Sequence, residues 1–285
     1  MDNRAEIRAF LVSRRARITP EQAGLPAYGS NRRVPGLRRE ELAMLAGVSV
    51  DYYTRIERGG LSGVSDSVLW AIADALRLDE VERAHLHDLA RASGSGRRPA
   101  RPRKDDGVTD SLRRLVEAIT VPAVLQNHQH QILHANVLGR ALYADVIDGP
   151  ARGNYASFIF FDTRSRDFYP DWERMAADNV AMLRAEAARD PYDSALTALI
   201  GQLSTRSDEF RRLWAAHDVH AHRSGRKRLR HRVVGELELS FEALDLAAHE
   251  GLRIYTYSAD PGTASADALE VLAISAATPA SAQAR

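Results

Sequence analysis

Apolar residues recur three or four positions apart through the N-terminal third of the chain. This spacing aligns apolar side chains along one face of an α-helix, and five segments show it: residues 4–17, 38–46, 49–58, 66–77 and 80–92. Gly47 stands where the second segment should end, and Ser49 is a suitable N-cap for the third. The pattern therefore predicts an all-α bundle of five short helices.

The rest of the chain mixes two periods. Residues 122–136 are typical of two short strands around a polar turn, and residues 228–260 predict three more because apolar and polar positions alternate there. A largely helical block separates these groups, and one further helix is expected directly after the second strand; the predicted helices are 136–146, 171–188, 192–205 and 208–216. We therefore expect an α+β domain with an antiparallel sheet and covering helices.

The segment between these two patterns cannot form a core. Residues 93–107, SGSGRRPARPRKDDG, hold Gly, Ser, Pro and charged residues with a single Ala, a composition typical of a mobile linker. This boundary predicts two domains, at residues 1–92 and 108–275. The small and polar residues at 276–285 predict a disordered tail.

Composition excludes several classes of protein. With 45% apolar residues among 285, each domain can bury a core, yet no run approaches the roughly 20 apolar residues of a membrane span. The absence of Cys excludes disulfides, thiolate zinc sites and cysteine nucleophiles, and the charged N-terminus shows no apolar signal region. We therefore expect a cytoplasmic protein that does not enter a membrane.

The net charge of +1 conceals an asymmetry along the chain. Residues 1–104 carry 19 Lys and Arg against 13 Asp and Glu, whereas residues 105–285 carry 20 against 25. A basic N-terminal part beside an acidic C-terminal part favours one module that binds a polyanion and a second module with another task. A solvated surface without a partner is the alternative that charge alone leaves open.

The second and third helical segments are separated by a single Gly-Val, in GLRREELAMLAGVSVDYYTRIERG (residues 36–59). Leu42 and Leu45 form the apolar side of the first of these helices. Tyr53 and Ile56 form that of the second, and together with Val48 in the turn these side chains are expected to meet in one small core. Two helices joined by such a tight turn form a helix-turn-helix, whose second helix enters the major groove of DNA. A helical hairpin in an unrelated bundle is the alternative.

The outward positions around the third helix are the candidate DNA-binding residues: Ser49, Val50, Asp51, Tyr52, Thr54, Arg55 and Arg58. Arg55 is the candidate for reading a guanine edge through two hydrogen bonds, and Val50 for contacting a thymine methyl group. Arg39 and Arg58, at the flanks, are better placed for phosphates. Asp51 either accepts a hydrogen bond from a cytosine amino group or caps the helix.

Longer runs of the sequence resemble a known family. Residues 34–59, VPGLRREELAMLAGVSVDYYTRIERG, and residues 63–90 resemble the N-terminal domain of the MmyB-like regulators, a branch of the xenobiotic-response-element type helix-turn-helix proteins. Residues 169–219, 224–246 and 253–263 are similar to the C-terminal domain of the same family. The resemblance covers nearly the whole chain. It departs at Arg232, where the family usually has proline.

The resemblance implies a lambda-repressor-like helix-turn-helix bundle followed by a PAS-like domain that senses a small molecule. Long-chain fatty acids are the ligand class linked to that domain. By position, the resemblance also implies that the family's DNA-facing residues are Arg39, Ser49, Val50, Asp51, Tyr52, Arg55 and Arg58.

A curved sheet faced by helices can enclose a cavity. The apolar and aromatic side chains expected to line it, with one histidine near its mouth, are Trp172, Met175, Leu183, Phe210, Leu213, Trp214, His217, Leu239, Phe241 and Tyr255. An ordinary packed core is the alternative for each of them. A bound acyl chain needs a cation or a donor for its carboxylate, and His217, His220 and Arg223 are the candidates.

Two groups of histidines are candidate metal ligands: His217, His220 and His222, and His128, His130 and His134. Neither group falls on a clean i,i+4 helical face or has the spacing of a known zinc finger, so we expect surface histidines, no metal and no cofactor. The sequence also lacks the spacings of a nucleophile elbow, a phosphate loop, a dinucleotide site and a zinc protease. We therefore do not expect an enzyme.

These observations together predict a transcriptional regulator that binds operator DNA and senses a hydrophobic, fatty-acid-like small molecule. A homodimer is expected because two half-sites about one helical turn apart double the contacts with DNA. The alternative is a DNA-binding regulator whose C-terminal domain only dimerises or recruits a protein partner, without a ligand.

Overall fold

The computed structural model describes residues 3–25, 34, 36–94, 107–218 and 224–277. Contacts divide the chain into two compact units. The first contains Met1–Ala100, Arg184–Thr197 and Leu213–Ala221, and the second contains Arg101–Leu183, Ala198–Arg212 and His222–Arg285. Two downstream segments therefore belong with the N-terminal helices. The predicted domain limits at residues 92 and 108 stay predictions.

Five helices open the first unit: α1 Asn3–Arg17, α2 Arg39–Leu45, α3 Val50–Glu57, α4 Asp66–Ala75 and α5 Glu80–Gly94. Each lies within two residues of its predicted bounds. The caps explain this agreement, because the signals that end and start these helices are local. Gly47 adopts a φ of 65° just after α2, and the Ser49 side chain accepts a hydrogen bond from the backbone N–H of Tyr52 at 3.1 Å.

The apolar seam between α2 and α3 differs from the prediction at one position. Leu42, Tyr53 and Ile56 are fully buried, as expected, but Leu45 is 37% exposed, so its assignment to the core was wrong. Ala43 faces the core instead. At 100° per residue, the buried face of α2 centres between Leu42 and Ala43, and this places Leu45 on the flank of the helix.

A buried carboxylate joins the first three helices. Glu57, at the end of α3, is 1% exposed. Arg15 of α1 donates from Nε to Glu57 Oε1 at 2.7 Å, and Arg39 of α2 donates from Nε to the other oxygen. The Tyr53 hydroxyl lies 3.3 Å from Oε1. Because each donor comes from a different place in the chain, the carboxylate fixes the packing of α1, α2 and α3 together.

A second buried charge pair in the first unit involves Arg184, which is fully buried and bonded to Glu6 of α1. The Arg184 guanidinium lies 4.2 Å from the ring centroid of Trp214, and its Nη1 lies 2.9 Å from Nδ1 of His217. Burial raises the pKa of Glu6, but hydrogen bonding to His217 and the charge of Arg184 outweigh burial and lower that pKa to about 2. Glu6 is therefore ionised in the folded protein.

The second unit is built on one antiparallel sheet of order β2-β1-β5-β4-β3. Its strands are β1 Ala123–Asn127, β2 Ile132–Ala135, β3 Ser224–His231, β4 Gly235–Asp245 and β5 Leu252–Ser258. Four of them fall inside the two predicted strand groups, and β3 begins four residues before the second group, at Ser224. The number and order of the elements confirm the PAS-like α+β fold. Arg232 lies in the turn after β3, where His231 and Gly235 remain paired.

The remaining helices are α6 Asp110–Glu117, α7 Val137–Leu142, α8 Ala144–Ile147, α9 Tyr155–Phe161, α10 Arg164–Phe168, α11 Trp172–Arg189, α12 Ser194–Arg206, α13 Asp208–Ala215 and α14 Ala264–Ala277. The single helix predicted at 136–146 divides at Tyr143 into α7 and α8. Four helices were not predicted, namely α6, α9, α10 and α14. The last of these helices ends at Ala277. It therefore extends two residues into the segment 276–285 that we expected to be a tail. None of the described helices is long and apolar enough to cross a membrane.

The two faces of the sheet have different coverings. On one face, alternate residues such as Leu239, Phe241 and Tyr257 are buried. On the other, α6 packs Leu112 and Val116 against β1 and β5, whereas the same side of β4 is mainly polar and exposed. The helices therefore cover mainly one face of the sheet. Helix α6, which the sequence did not predict, covers a small part of the other face.

The carboxylate of Glu57 can be tested by Glu57→Gln, which keeps the size of the side chain and removes its charge. Two arginines then lose their counter-ion at a buried site, so we expect the free energy of unfolding to fall by about 2–3 kcal/mol. This value is smaller than the one for a fully buried ion pair, because Arg39 is partly exposed. Urea unfolding followed by circular dichroism measures the change.

The matched control is Glu40→Gln, because Glu40 is 64% exposed and pairs with Arg38 at 3.4 Å. Its loss should change the free energy of unfolding by no more than about 0.5 kcal/mol. Equal effects of the two substitutions would contradict a structural role for Glu57.

Candidate nucleic-acid interface and ligand cleft

One side of α3 is free of the core and presents the predicted contact residues. Ser49, Val50, Asp51, Arg55 and Arg58 are exposed, and Tyr52 and Thr54 are partly buried. Val50 is 45% exposed although it is apolar. An exposed valine in the first turn of a second helix suits contact with a thymine methyl group in the major groove. The exposed side of α3 is called the recognition face below.

Two side chains of the recognition face are already in contact with each other. The Arg55 guanidinium lies 4.8 Å from the ring centroid of Tyr52, which is cation–π distance. Stacking on the ring restricts the rotamers of Arg55, and a pre-positioned guanidinium loses less entropy when it binds a base edge. The structure thus brings together the residue expected to read guanine and its neighbour one helical turn before it.

Arg39 has a different environment from the one its predicted role requires. Its Nε is bonded to the buried Glu57, while its side chain is 46% exposed. The remaining guanidinium N–H groups can still donate to a phosphate, so a phosphate contact by Arg39 stays a prediction. No sequence pattern indicated that Arg39 would also hold the helices together.

The second unit contains a narrow cleft against the helix-covered face of the sheet. Its lining residues come from the sheet and from three helical segments: Val124, Gln126, Ile132, Tyr143, Tyr155, Met182, Lys227, Tyr255 and Tyr257. A water-sized molecule finds only about 10 Å³ of space inside the cleft, and the 310 Å³ free of atoms around its lining includes open solvent. The enclosed space thus holds about one water molecule, and a larger ligand requires the lining side chains to move apart.

One charged side chain, Lys227, stands among the aromatic rings of this lining. Lys227 is 4% exposed, and its Nζ lies 4.8 Å from the ring centroid of Phe241 and 5.3 Å from that of Tyr155. The rings of Tyr257 and Tyr255 follow at 5.6 and 5.9 Å. Within the described part of the chain, Lys227 makes no ion pair and no hydrogen bond through its ammonium group.

Our sequence reasoning missed Lys227, although the strand carries a signal for it. Lys227, Leu229 and His231 occupy every second position of β3, and all three are buried. Lys227 pairs with Leu239 of β4, which belongs to the apolar face. A lysine that points to the same side of a strand as the buried apolar residues is unusual. Which side of β3 faces the core is known only from its pairing with β4.

Of the ten residues predicted to bind the ligand, Tyr255 lines the cleft. The phenyl ring of Phe241 faces the Lys227 ammonium, and Leu239 lies on the same face of β4. Four others, Trp172, Met175, Leu183 and Phe210, are buried elsewhere in the second unit. The last three, Leu213, Trp214 and His217, belong to the first unit. For these seven residues a role in ligand binding stays a prediction.

The histidines likewise occupy different environments. His130 is buried, so its expected surface position was wrong; its Nδ1 is 2.8 Å from Nδ2 of Asn179. His134 lies 3.2 Å from Glu117. Among the described residues no group of three or more His, Asp and Glu side chains is arranged to hold a metal ion. His220, His222 and Arg223 lie outside the described residues.

The seam between α2 and α3, together with the recognition face, defines a helix-turn-helix DNA-binding protein, and the second unit adds a sheet domain with a cleft. Residues 9–86 match the family model of a helix-turn-helix domain. Residues 108–272, more than half of the chain, match the ligand-binding domain of MmyB-like transcription regulators. The chain therefore belongs to the MmyB-like transcription regulators. No curated protein matches it.

Arg55→Ala tests whether the recognition face reads bases. We expect binding to the preferred duplex, selected from a random library, to weaken by about 1–3 kcal/mol, because a bidentate contact with one base is lost. Binding to random duplex should be unchanged. Fluorescence anisotropy with the two duplexes measures both affinities.

Arg91→Ala serves as the control, since Arg91 lies near the end of α5, a helix that packs on α1 and α4. It removes one positive charge of the same unit without touching α3. An equal loss on both duplexes with Arg55→Ala would make Arg55 a phosphate contact.

Proposed function

We propose that this regulator binds operator DNA through the recognition face and that its sheet domain binds a hydrophobic, fatty-acid-like small molecule that controls DNA binding. The protein is a transcription regulator with a ligand-binding domain by family. The cleft of the second unit is the observation that carries the proposal about the ligand.

The DNA-binding part rests on the chemistry of the recognition face. Its N-terminal residues include a capped helix start, an exposed valine and a stacked arginine, and these are side chains that contact base edges in a major groove. The excess of Lys and Arg among residues 1–104 adds a sequence-independent attraction to phosphates. A homodimer bound to two half-sites fits a helix-turn-helix of this kind.

The ligand part rests on the lining of the cleft. Four tyrosine rings and Met182 provide apolar surface along a narrow space, and an unbranched acyl chain is slender. Met182 adds flexibility, because an unbranched thioether side chain adjusts its rotamer to the shape of a ligand. The cleft therefore favours a fatty-acid-like ligand over a broad polycyclic one.

Control of DNA binding requires that the ligand bind one conformation of the protein better than another. Helix α11 contributes residues to both units, because Arg184 and the residues after it belong to the first unit while Met182 lines the cleft of the second. We propose that a ligand acts on DNA affinity by changing the preferred position of α11.

Salt dependence tests the proposed phosphate contacts. We expect the logarithm of the DNA association constant to fall linearly with the logarithm of salt concentration, and Arg58→Ala to reduce that slope by about one, because one phosphate is no longer neutralised. Arg58→Ala should also weaken binding to specific and random duplexes equally. Titrations over a range of salt concentrations check both statements, and a slope unchanged by the substitution would contradict the contact.

Native mass spectrometry of the full-length protein, directly after purification, tests the sensor. We expect an added mass in the range of a fatty acid that disappears on denaturation, together with the mass of a dimer. Bare protein that also fails to bind added fatty acids would contradict ligand sensing. It would favour the alternative in which the second domain only dimerises or recruits a protein partner.

A further inference from the structure

The cleft holds a buried cation that lacks a counter-ion. No carboxylate of a described residue lies within ion-pairing distance of the Lys227 ammonium. The nearest acidic influence comes from Asp178 of α11, which is itself 3.8 Å from Arg174. Burying an unpaired charge costs several kcal/mol, and proteins seldom retain one without a use for it. Lys227 is therefore the most unusual group in the cleft.

The aromatic rings stabilise this cation only in part. A cation–π contact contributes about 0.5–2 kcal/mol, and the rings of Phe241, Tyr155, Tyr257 and Tyr255 all lie within 6 Å of Nζ. Rings attract the charge but accept no ordinary hydrogen bond. All three N–H donors of the ammonium thus remain available to an acceptor that enters the cleft.

A second polar group of the same lining is the hydroxyl of Tyr143. It is buried without a hydrogen bond of ordinary geometry, and it interacts with the hydroxyls of Tyr257 and Tyr169. A phenol O–H donates to a carboxylate readily. One cation and one hydroxyl donor in one narrow cleft match a group that carries a single negative charge and several lone pairs.

We propose that Lys227 binds the carboxylate of the ligand, with the Tyr143 hydroxyl as a second donor and the apolar part of the ligand against Tyr155 and Met182. This inference rests on the proposed sensing function and assigns the residues that hold the charged end of the ligand. It replaces His217, His220 and Arg223 as the candidates for holding the carboxylate. A phosphate ester is less suitable, because its second charge would find no second cation in the described lining.

The charge of Lys227 predicts how binding depends on pH. Burial lowers the pKa of Lys227 to about 7; Asp178 opposes this shift and Arg174 adds to it. The phenols that face the ammonium, Tyr155 and Tyr257, have pKa values raised by burial and stay neutral. A bound carboxylate favours the ammonium and raises its pKa. The affinity for the carboxylate ligand should therefore be constant just below pH 7 and fall about tenfold per pH unit above it. Above pH 7, Lys227 should take up a proton when the ligand binds.

Isothermal titration of the full-length protein with decanoic and hexadecanoic acids, and with 1-decanol and 1-hexadecanol, tests the proposal. The acids and alcohols share their chains and differ in charge. We expect the wild-type protein to prefer at least one acid over its alcohol by about tenfold to a hundredfold, the value of a charged hydrogen bond. Lys227→Met, of similar shape, should remove this preference and the pH dependence above pH 7.

The matched control is Arg228→Met. Arg228 is the next residue of β3, is 54% exposed and pairs with Asp171 at 3.5 Å. It should keep the preference for acids, and unfolding curves of both variants verify that they fold. The comparison of acid with alcohol in the wild-type protein stands even if Lys227→Met is unstable.

The outcomes separate this inference from the proposed function. Equal affinity for acids and alcohols in all three proteins would overturn the role of Lys227 while leaving a hydrophobic sensor intact. A preference for acids that survives Lys227→Met would place the anion elsewhere and overturn it as well. Binding of none of the four probes would overturn both statements.

Discussion

Burial of charge is the constraint that organises this protein. A charge removed from water costs several kcal/mol unless a partner restores its interactions, and Glu57, Arg184 and Lys227 are all almost completely buried. Glu57 is compensated by arginines from two other helices, and this requirement fixes how α1, α2 and α3 pack. Arg184 is compensated by Glu6 in the same unit. Lys227 has aromatic rings around it and, among the described residues, no carboxylate within ion-pairing distance, and this difference is the basis of its proposed role in binding.

The packing around Glu57 determines what the rest of the first unit can do. Helix α3 is held on its inner side through Tyr53, Ile56 and Glu57, and the side chains of Val50, Asp51 and Arg55 are exposed. The stacked pair of Arg55 and Tyr52 lies on the recognition face. Specific recognition needs side chains whose position is set before binding, and a helix held by a charge network offers that rigidity. The buried contacts and the proposed DNA contacts thus lie on different sides of α3.

The cleft of the second unit combines apolar and aromatic side chains with one charged side chain, that of Lys227. Strand β5 supplies the rings of Tyr255 and Tyr257 to the cleft, and the short helical segments supply those of Tyr143 and Tyr155. A completely apolar cleft would accept any hydrophobic molecule of suitable width, whereas an ammonium inside it restricts the choice to anions. Helix α11 supplies Met182 to this lining and continues to Arg189.

The sequence by itself determined the helix-turn-helix, its caps and the five strands, because helix periodicity, capping by Ser49 and strand alternation are local properties. It also indicated the exposed residues of α3, which follow from the same periodicity. The tertiary structure decided that Arg39 and Arg15 share one carboxylate and that Leu45 lies outside the core. It also decided which side chains form the cleft: Tyr143, Met182 and Lys227 are far apart in the chain and meet only through the strand register and the packing of α11. Local patterns cannot contain such long-range pairings, because each depends on how distant elements pack.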